Sequence, residues 1–403
     1  MRNNLSKIRK AAALLWLLFI NVWSLTAQSS AIAVGADQHS RWIQLVEGKK
    51  IALVVNHTAT TQGQHLLDFL LTQGQDVKLV FAPEHGFRGE AEAGADIKDG
   101  KDSKTGIPVI SLYGAKKKPD MADLSEIEVV VFDIQDVGAR FYTYISTLHY
   151  VMEACAEAYL PLLVLDRPNP NGHYIDGPLL DTAFRSFVGM HPIPVVHGMT
   201  IGEYACMING ERWLANGVKC NLEVIPVLGY HHQMFYDLPI PPSPNLPDMR
   251  SIYLYPSICF FEGTPVSLGR GTDKPFQRVG APWFKGGGAS FTPKSIPGKA
   301  AKPPFMDVKC FGYDYSQHPI KELQNKSQLD LQSLLDFYKQ SPDKTKFFNP
   351  FFDKLAGSRT LREQISAGKT EAEIRASWAS GLAAFAKVRN KYLLYPDTHT
   401  QTR

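Results

Sequence analysis

A glutamate in a turn-rich segment is the first residue of this sequence whose setting suggests catalysis. Glu84 lies in the segment 81–89, where Pro83 restricts the backbone before it and Gly86 lets the chain turn sharply after it. A carboxyl group held in this way can act as a general acid, whereas a solvated glutamate in a surface turn has no such role. The charged residues that follow in a glycine-containing loop favour the catalytic interpretation: Arg88, Glu90, Glu92 and Asp96.

The segment 133–144 carries a second group of charged and polar side chains. Asp136 either caps the helix that follows or takes part in chemistry. Asp133 and Arg140 either pair with each other or serve a substrate, in which case Arg140 and Tyr142 bind its carboxylate and hydroxyl groups. We expect at least one of these residues to be functional.

A third group follows another apolar run. Asp166, Arg167 and Asn169 lie in a loop whose backbone is fixed by Pro168 and Pro170. A fixed loop suits side chains that bind polar groups without moving, although a purely structural turn has the same pattern.

Later segments add four candidates for binding. His197 ends a short apolar stretch in front of a helix, and Asn245 lies in a proline-rich loop. Arg270 and Thr272 lie in the segment 269–276, which lacks the spacing and the final Lys-Ser/Thr of a phosphate-binding loop.

Several other chemistries lack their sequence patterns. The chain has no Gly-x-Ser-x-Gly elbow, no His-Glu-x-x-His motif and no dinucleotide-binding glycine fingerprint. We therefore predict no cofactor and no metal, although a metal-dependent hydrolase built on His85, Asp133 and Asp136 is an alternative. The polar residues that remain are Asp, Glu, Arg, Asn, Tyr and Trp, the types that bind and cleave sugars.

The elements that must position these residues alternate between strands and helices. Helical patterns occupy 64–73 and 139–159, and a mostly parallel sheet with helices on both faces is predicted. Such sheets bind ligands beyond the carboxyl ends of their strands, so the polar residues that follow each strand should crowd one edge. The apolar runs that predict the strands are 50–55, 77–81, 127–132 and 160–165.

The second half of the chain differs from the first in composition and in the regularity of its hydrophobic pattern. A helix is predicted from 200 to 216, with Thr200 as its cap and Glu203 completing a capping box. The segment 226–305 is rich in proline, glycine and aromatic residues, and regular structure returns afterwards. We predict a domain boundary near residue 218, so that the domains span 28–218 and 219–403. The predicted later elements are a strand near 306–311 and helices near 330–339 and 378–391.

The N-terminus has the features of a secretory signal peptide at 1–27. It contains four basic residues and no acidic one, then an apolar run over 11–22 and small residues before Gln28. A membrane anchor is disfavoured because that run is shorter than the roughly 20 residues of a span. We expect a secreted or periplasmic protein with no membrane span after cleavage.

Charge and cysteine content limit the partners. The chain has 43 basic and 39 acidic residues, and removal of the four basic residues before Gln28 leaves the two in balance. Nucleic acid is therefore not expected as a partner. The five cysteines lack metal-binding spacing, and one disulfide is possible.

Seven short motifs, taken in order, resemble those of the NamZ-like exo-β-N-acetylmuramidases, glycoside hydrolases of bacterial cell-wall recycling. The resemblance implies a Rossmann-like N-terminal domain without a dinucleotide, a smaller C-terminal α/β domain and an active site in the cleft between them. It also implies release of N-acetylmuramic acid from the non-reducing end of peptidoglycan fragments, with Glu84 as the catalytic acid. The motifs are APEHGFRG (82–89), TGIPVISLYG (105–114), FDIQDVGARFYTY (132–144), LDRPNP (165–170), HGMTIGE (197–203), PSPN (242–245) and GRGTDKPF (269–276).

The hypothesis is a glycosidase acting on a small muropeptide or disaccharide. The group that assists Glu84 is Glu90, Asp133, Asp136 or the acetamido group of the substrate. Arg140, Arg167 or Arg270 would bind the lactyl carboxylate of muramic acid. A periplasmic muropeptide-binding protein without catalysis is the alternative. The candidate substrate-binding residues are Asn56, His85, Arg88, Arg140, Tyr142, Asp166, Arg167, Asn169, His197, Asn245, Arg270 and Thr272.

Overall fold

The structure, a computed structural model, describes residues 32–87 and 99–397. The candidates Arg88 and Glu90 and the predicted signal peptide at 1–27 lie outside the described residues. Among the helices of the described part, none is both long enough and apolar enough to cross a membrane. The five cysteines, all in the described part, are free thiols.

The elements are numbered along the chain. The strands are β1 (Lys50–Val55), β2 (Thr60–Thr61), β3 (Gln64–His65), β4 (Asp76–Ala82), β5 (Gly100–Lys101), β6 (Pro108–Ser111), β7 (Val129–Asp133), β8 (Pro161–Leu165), β9 (Asn221–Ile225), β10 (Arg278–Ala281), β11 (Ala289–Phe291) and β12 (Cys310–Asp314). The α-helices are α1 (His39–Val46), α2 (Leu66–Thr72), α3 (Met121–Leu124), α4 (Tyr144–Glu157), α5 (Ile201–Gly210), α6 (Met249–Ile258), α7 (Ile320–Lys326), α8 (Gln332–Gln340), α9 (Pro350–Ala356), α10 (Thr360–Ser366) and α11 (Glu371–Arg389).

A seven-stranded sheet forms the centre of the first half, in the order β5-β6-β4-β1-β7-β8-β9. All neighbours pair in parallel except β5, which runs antiparallel to β6 at one edge. Along β1, Ala52 and Val54 enter one hydrophobic core, while Ile51, Leu53 and Val55 enter the core on the opposite face. Because both faces are covered, the strand is a continuous apolar run rather than an alternating one. The predicted mostly parallel sheet is confirmed.

The predicted boundaries hold within two residues for β1, β4, β7 and β8, whereas β5, β6 and β9 were not predicted. Helix α4 begins at Tyr144 rather than at 139, because Arg140 donates its backbone N–H to the carbonyl of Val195 at 2.7 Å. Helix α5 has the predicted capping box of Thr200 and Glu203 but ends at Gly210. Strand β12 lies four residues later than its predicted start at 306.

The second half packs against the first through one shared core. It contains a three-stranded antiparallel sheet in the order β10-β12-β11 and the helices α7 to α11. Leu148 of α4 belongs to the same buried cluster as Phe260, Phe337 and Trp378. The large sheet also continues past the boundary predicted at residue 218, because β9 pairs with β8.

The C-terminal part of the chain returns to the first sheet. The Arg389 guanidinium at the end of α11 donates from Nε and Nη2 to the Gly198 carbonyl, at 3.0 and 2.6 Å. Its Nη1 binds the Asp397 carboxylate at 2.5 Å. These bonds fix the loop that precedes α5.

Candidate active site

A cavity of about 920 Å³ lies beyond the carboxyl ends of β4, β6 and β7. One wall comes from residues that follow these strands, among them Glu84, Tyr113 and Thr143. The opposite wall comes from the segments 243–276 and 299–304 and from helix α9. The cavity therefore lies between the large sheet and the second half of the chain, where ligands of such sheets bind.

Glu84 reaches this cavity from the turn that ends β4. The N–H of Gly86 donates to the carbonyl of Pro83 at 3.0 Å, and His85 takes a left-handed φ of 71°. That conformation costs a non-glycine residue roughly 1–2 kcal/mol, so packing around the turn must impose it. The hydroxyl of Thr143 donates to Oε2 of Glu84 at 2.7 Å. One carboxylate oxygen is thus oriented by the protein.

An arginine and a second glutamate face the cavity from the opposite wall. Nη2 of Arg270 donates to Oε1 of Glu262 at 2.6 Å, and the guanidinium lies 5.1 Å from the ring centre of Phe276. Burial alone lowers the pKa of Arg270, but the adjacent Glu262 carboxylate outweighs burial and raises it. The guanidinium is therefore charged, and it has donors beyond the one that Glu262 occupies.

Aromatic side chains complete the walls. The rings of Phe141 and Tyr255 meet edge to face at 5.4 Å, and the hydroxyl of Tyr142 donates to the carbonyl of Pro242 at 2.9 Å. Burial, followed by neighbouring Cys259 and Glu262 and then by Glu84, raises the pKa of Tyr255, so its hydroxyl is neutral. The carboxylates of Glu84 and Glu262 therefore both contribute to the raised pKa of this one buried side chain.

The charged residues of the cavity wall are mainly cationic. Within the described part of the chain, the lining contains Lys117, Arg270, Lys299 and Lys302 but only two carboxylates, those of Glu84 and Glu262. The balance of the whole chain does not reveal this local excess. A cavity with these charges favours an anionic ligand.

Asn245 fixes the loop that carries two of these lysines. It is 3% exposed and donates from Nδ2 to the carbonyl of Lys299 at 3.0 Å. Of the predicted site residues, the structure brings five together around the cavity: Glu84, His85, Tyr142, Asn245 and Arg270.

Asp133 and Arg167 form a buried ion pair away from the cavity lining. Nε and Nη2 of Arg167 donate to the two carboxylate oxygens of Asp133 at 2.5 and 2.8 Å. Nη2 also donates to the carbonyl of Thr60 at 3.0 Å. The predicted pairing of Asp133 with Arg140 is therefore wrong. Because both carboxylate oxygens accept from Arg167 and neither residue lines the cavity, we do not retain Asp133 as a catalytic candidate or Arg167 as a substrate ligand.

Arg140 is also committed to the fold. It is completely buried and donates to the carbonyls of Pro178, Ile193 and Leu355 at 2.7, 2.7 and 2.8 Å. Burial lowers its pKa to about 9, so it is charged at neutral pH. Since Leu355 belongs to α9, this guanidinium joins the two halves of the protein and does not reach a substrate.

Asp136 and His197 lie behind the cavity wall. Oδ2 of Asp136 accepts from the N–H of Gly138 at 2.7 Å and lies 4.0 Å from Nε2 of His197. Burial raises the pKa of Asp136 to about 7 and lowers that of His197 to about 3. Neither residue lines the cavity, so we do not retain Asp136 as the second catalytic acid.

Asp166 anchors the C-terminal part of the chain. Its carboxylate accepts from the Thr200 hydroxyl at 2.7 Å, from the Gly202 N–H at 2.8 Å and from the hydroxyl of Tyr395. Burial raises its pKa to about 6 even though these hydrogen bonds act in the opposite direction. Asp166 therefore has a structural role, because it joins the end of β8 to α5 and to the C-terminal segment.

Three further candidates also form hydrogen bonds with neighbouring groups of the protein: Asn169, Asn56 and Thr272. Nδ2 of Asn169 donates to the carbonyl of Met199 at 2.8 Å, and its side chain packs where a Cβ on Gly138 would stand 2.3 Å away. Oδ1 of Asn56 accepts from the backbone N–H of a neighbouring threonine at 2.9 Å. The Thr272 hydroxyl donates within its own loop, at 2.7 Å.

Sequence reasoning missed several residues of the cavity. Thr143 stands within the 132–144 motif, but nothing in its spacing distinguished it from its neighbours. Glu262 could have been recognised as a candidate from the sequence, because it is a single acidic residue between Phe261 and Gly263 at the end of an apolar stretch. Lys299 and Lys302 lie in a segment without hydrophobic periodicity, so nothing in the sequence indicated that they line the cavity.

The arrangement does not assemble the metal site considered from the sequence. Asp133 is occupied by Arg167, whereas His85 lines the cavity. Across residues 32–87 and 99–397, no group of three or more His, Cys, Asp or Glu side chains is placed to hold a metal ion.

Comparison with known proteins agrees with this architecture. Residues 51–250 match the family model described as "Exo-beta-N-acetylmuramidase NamZ, N-terminal", and residues 253–395 match its C-terminal counterpart. A curated relative, the "Peptidoglycan beta-N-acetylmuramidase NamZ" of Bacillus subtilis (strain 168), is 40% identical over 391 residues, covering 92% of this chain and 93% of the relative.

Two solved structures share the fold. A DUF1343 family protein from Bacteroides fragilis NCTC 9343, solved at 1.30 Å, is 47% identical with a TM-score of 0.85, covering 92% of this chain and 100% of that one. A second DUF1343 family protein from the same organism, solved at 1.65 Å, is 29% identical with a TM-score of 0.75, covering 91% and 99%. The resemblance of the sequence motifs is thus confirmed over nearly the whole chain, and the protein belongs to the NamZ family of exo-β-N-acetylmuramidases.

Proposed function

We propose that the protein is an exo-acting glycosidase that releases N-acetylmuramic acid from the non-reducing end of peptidoglycan fragments during cell-wall turnover and recycling. Its substrates are small muropeptides or disaccharides. The observation that carries this proposal is the Glu84 carboxyl group, oriented by Thr143 in a cavity with a cationic excess. The activity of the Bacillus subtilis relative, as its name states it, supports the same reaction.

Glu84 acts as the general acid. The Thr143 hydroxyl donates to its Oε2, and this hydrogen bond orients the carboxyl group that gives its proton to the glycosidic oxygen. As that bond breaks, the proton neutralises the departing oxygen, and positive charge develops at the anomeric carbon.

A second group must act at the anomeric carbon. Of the earlier candidates, Asp133 is bound by Arg167 and Asp136 lies behind the wall. Glu262 is the other carboxylate of the cavity lining within the described residues, and Arg270 fixes its Oε1. Glu262 and the acetamido group of the substrate are therefore the two groups we propose for this step.

Arg270 binds the lactyl carboxylate that distinguishes muramic acid from glucosamine. A guanidinium matches a carboxylate in geometry, and Glu262 occupies only part of its donor set. The buried guanidiniums of Arg140 and Arg167 have no comparable access.

Export of the protein is a further part of the proposal. The basic, apolar and small-residue regions of 1–27 support a secretory signal peptide and hence a secreted or periplasmic location. Sequencing the N-terminus of the protein purified from its own cells tests this. A mature chain that begins at Gln28 agrees with the proposal, and an intact Met1 contradicts it.

The catalytic assignment is tested with two substrates that differ in their leaving groups. The Glu84→Gln variant should lose about 10²–10⁴-fold in kcat on a disaccharide of N-acetylmuramic acid and N-acetylglucosamine. It should lose less on a 4-nitrophenyl β-N-acetylmuraminide, because nitrophenolate departs without help from an acid. Equal losses on both substrates would remove Glu84 from the acid role.

A matched control separates this effect from a change in surface charge. Glu322 is exposed on α7 and does not line the cavity, so Glu322→Gln makes the same chemical change outside the site and should keep full activity. If the wild-type protein binds the disaccharide but never cleaves it, the protein is a binding protein instead.

A further inference from the structure

A second cavity, of about 560 Å³, adjoins the candidate active site. Four residues line both cavities: Lys117, Phe187, Val188 and Phe351. We call the second cavity the side pocket. Because these four residues line both cavities, the two lie side by side, and a ligand longer than one sugar that starts in the first is within reach of the second.

The charged residues of the side pocket are all cationic. Lys117, Arg185 and Lys354 line it, and no acidic side chain among the described residues does so. The Lys117 ammonium lies 5.4 Å from the ring centre of Phe187. Arg185 and Lys354 are exposed, which places them at the outer rim. Three cations in one lining, with no carboxylate among its residues, favour an anionic ligand.

Aromatic rings and one hydroxyl supply the rest of the wall. The rings of Tyr150 and Phe187 stack at 6.3 Å with an interplanar angle of 17°. The buried Oγ of Ser186 has no hydrogen-bond partner within the described part of the chain. Flat aromatic surfaces suit a sugar, whose faces are apolar, whereas the buried Ser186 hydroxyl would contact it only after a small shift of its loop.

The backbone around the side pocket is fixed before any ligand arrives. Ser186 and Gly189 exchange two backbone hydrogen bonds, at 2.9 and 3.0 Å. The Ser146 hydroxyl of α4 donates to the carbonyl of Phe187 at 2.7 Å. The N–H of Asp181 donates to the carbonyl of Gly357, just after α9, at 2.8 Å. This preorganisation reduces the entropy lost on binding.

We propose that the side pocket binds the leaving-group part of a longer glycan, with Lys117, Arg185 and Lys354 facing a carboxylate two sugars beyond the cleaved bond. The inference rests on the proposed function, in which the terminal sugar sits beside Glu84. The remaining glycan must then leave toward solvent, and the exposed rim of the side pocket provides that exit. Because N-acetylmuramic acid alternates with N-acetylglucosamine in peptidoglycan, the second sugar beyond the bond carries the lactyl carboxylate.

The test compares substrates of two lengths. For the wild type and the Arg185→Gln/Lys354→Gln double variant, kcat/KM is measured on the disaccharide and on the peptide-free tetrasaccharide made of two such disaccharides. We expect the tetrasaccharide-to-disaccharide ratio to fall about 3- to 10-fold in the variant, mainly through KM, since exposed ion pairs are weak. The effect should shrink at high salt.

Two further substrates identify the charge that is recognised. In a tetrasaccharide whose internal lactyl carboxylate is converted to an amide, the ratio should be the same for both proteins. A tetrasaccharide bearing a peptide on that carboxylate tests the other source of negative charge. If only the peptide-bearing substrate responds to the variant, the lactyl assignment is overturned.

Controls keep this test independent of the proposed function. Lys321 and Lys387 are exposed on α7 and α11, so Lys321→Gln/Lys387→Gln removes the same two charges elsewhere and should not change the ratio. An unchanged ratio in the side-pocket variant refutes this inference while hydrolysis of the disaccharide still supports the proposed function. Failure of the wild type to cleave the disaccharide refutes the proposed function itself.

Discussion

The pair of substitutions Asp136→Asn and Glu84→Gln distinguishes a structural carboxyl group from a catalytic one. Both replace an acid by its amide, but Asp136 lies behind the cavity wall and Glu84 lines it. We expect Asp136→Asn to keep activity within about threefold, whereas Glu84→Gln should lose at least about 100-fold on the disaccharide.

The same aspartate substitution should change the pH dependence of stability. Burial raises the pKa of Asp136 in the folded protein from 3.8 to about 7, so the folded state binds this proton more tightly than the unfolded state. The free energy of unfolding of the wild type therefore falls as the pH rises from about 4 to about 7, and the cost is complete above that. Between pH 5 and 8.5, two pH units at 1.36 kcal/mol each amount to about 3 kcal/mol.

The measurement is urea denaturation of both proteins at pH 5 and pH 8.5. The Asn side chain keeps an oxygen that can accept from Gly138 but carries no charge, so the stability of the variant relative to the wild type should rise by about 3 kcal/mol across this range. Asp166 titrates in both proteins and cancels in the difference. An identical pH dependence in the two proteins would refute the burial argument, and loss of activity in Asp136→Asn would return this residue to the catalytic candidates.

Three further substitutions test other contacts. Thr143→Val removes the donor to Glu84 and should lower kcat by roughly tenfold, as expected for one hydrogen bond to the carboxylate that forms when Glu84 gives up its proton. Thr143→Ser keeps the hydroxyl and should keep most of the activity, and steady-state kinetics with both variants tests this. Arg140→Met removes the guanidinium donors to the carbonyls of Pro178, Ile193 and Leu355, of which that of Ile193 still accepts from the Leu180 N–H. The variant should lose about 2–5 kcal/mol in urea denaturation, and a loss below about 1 kcal/mol would contradict the role we assign. Gln277 donates from Nε2 to both oxygens of Asp248 at 3.1 Å. Gln277→Glu should therefore lower the free energy of unfolding by roughly 1–3 kcal/mol at pH 8 and by less at pH 4. An equal loss at the two pH values would exclude charge repulsion as the cause.

The sheet was predictable from the sequence because its strands are covered on both faces. Residues 51–55 alternate between two separate cores, so every position is apolar and the run is conspicuous. Strand β9 was harder to assign, since only Ile225 of its five residues is buried. Its burial pattern is that of an edge strand, which explains why the predicted boundary fell before it.

The site was predictable only in part, because placing a polar residue at a strand end does not decide its partner. Asp133 ends β7 and Glu84 follows β4, but Arg167 binds Asp133, whereas Glu84 lines the cavity. That choice depends on side chains more than 30 positions away. The opposite wall, with Glu262 and Arg270, comes from a segment whose shape is set by packing rather than by periodicity.

The hydrogen bond between Tyr395 and Asp166 bears on the order in which the chain can fold. These residues are 229 positions apart, and Arg389 binds the neighbouring Gly198 carbonyl across 191 positions. A nascent chain that has passed β8 but not yet reached residue 395 must leave the buried Asp166 carboxylate without one of its donors. We therefore expect the first sheet to reach its full stability only after nearly the whole chain has been synthesised, and shorter nascent chains to be cut by proteases more readily than the complete one.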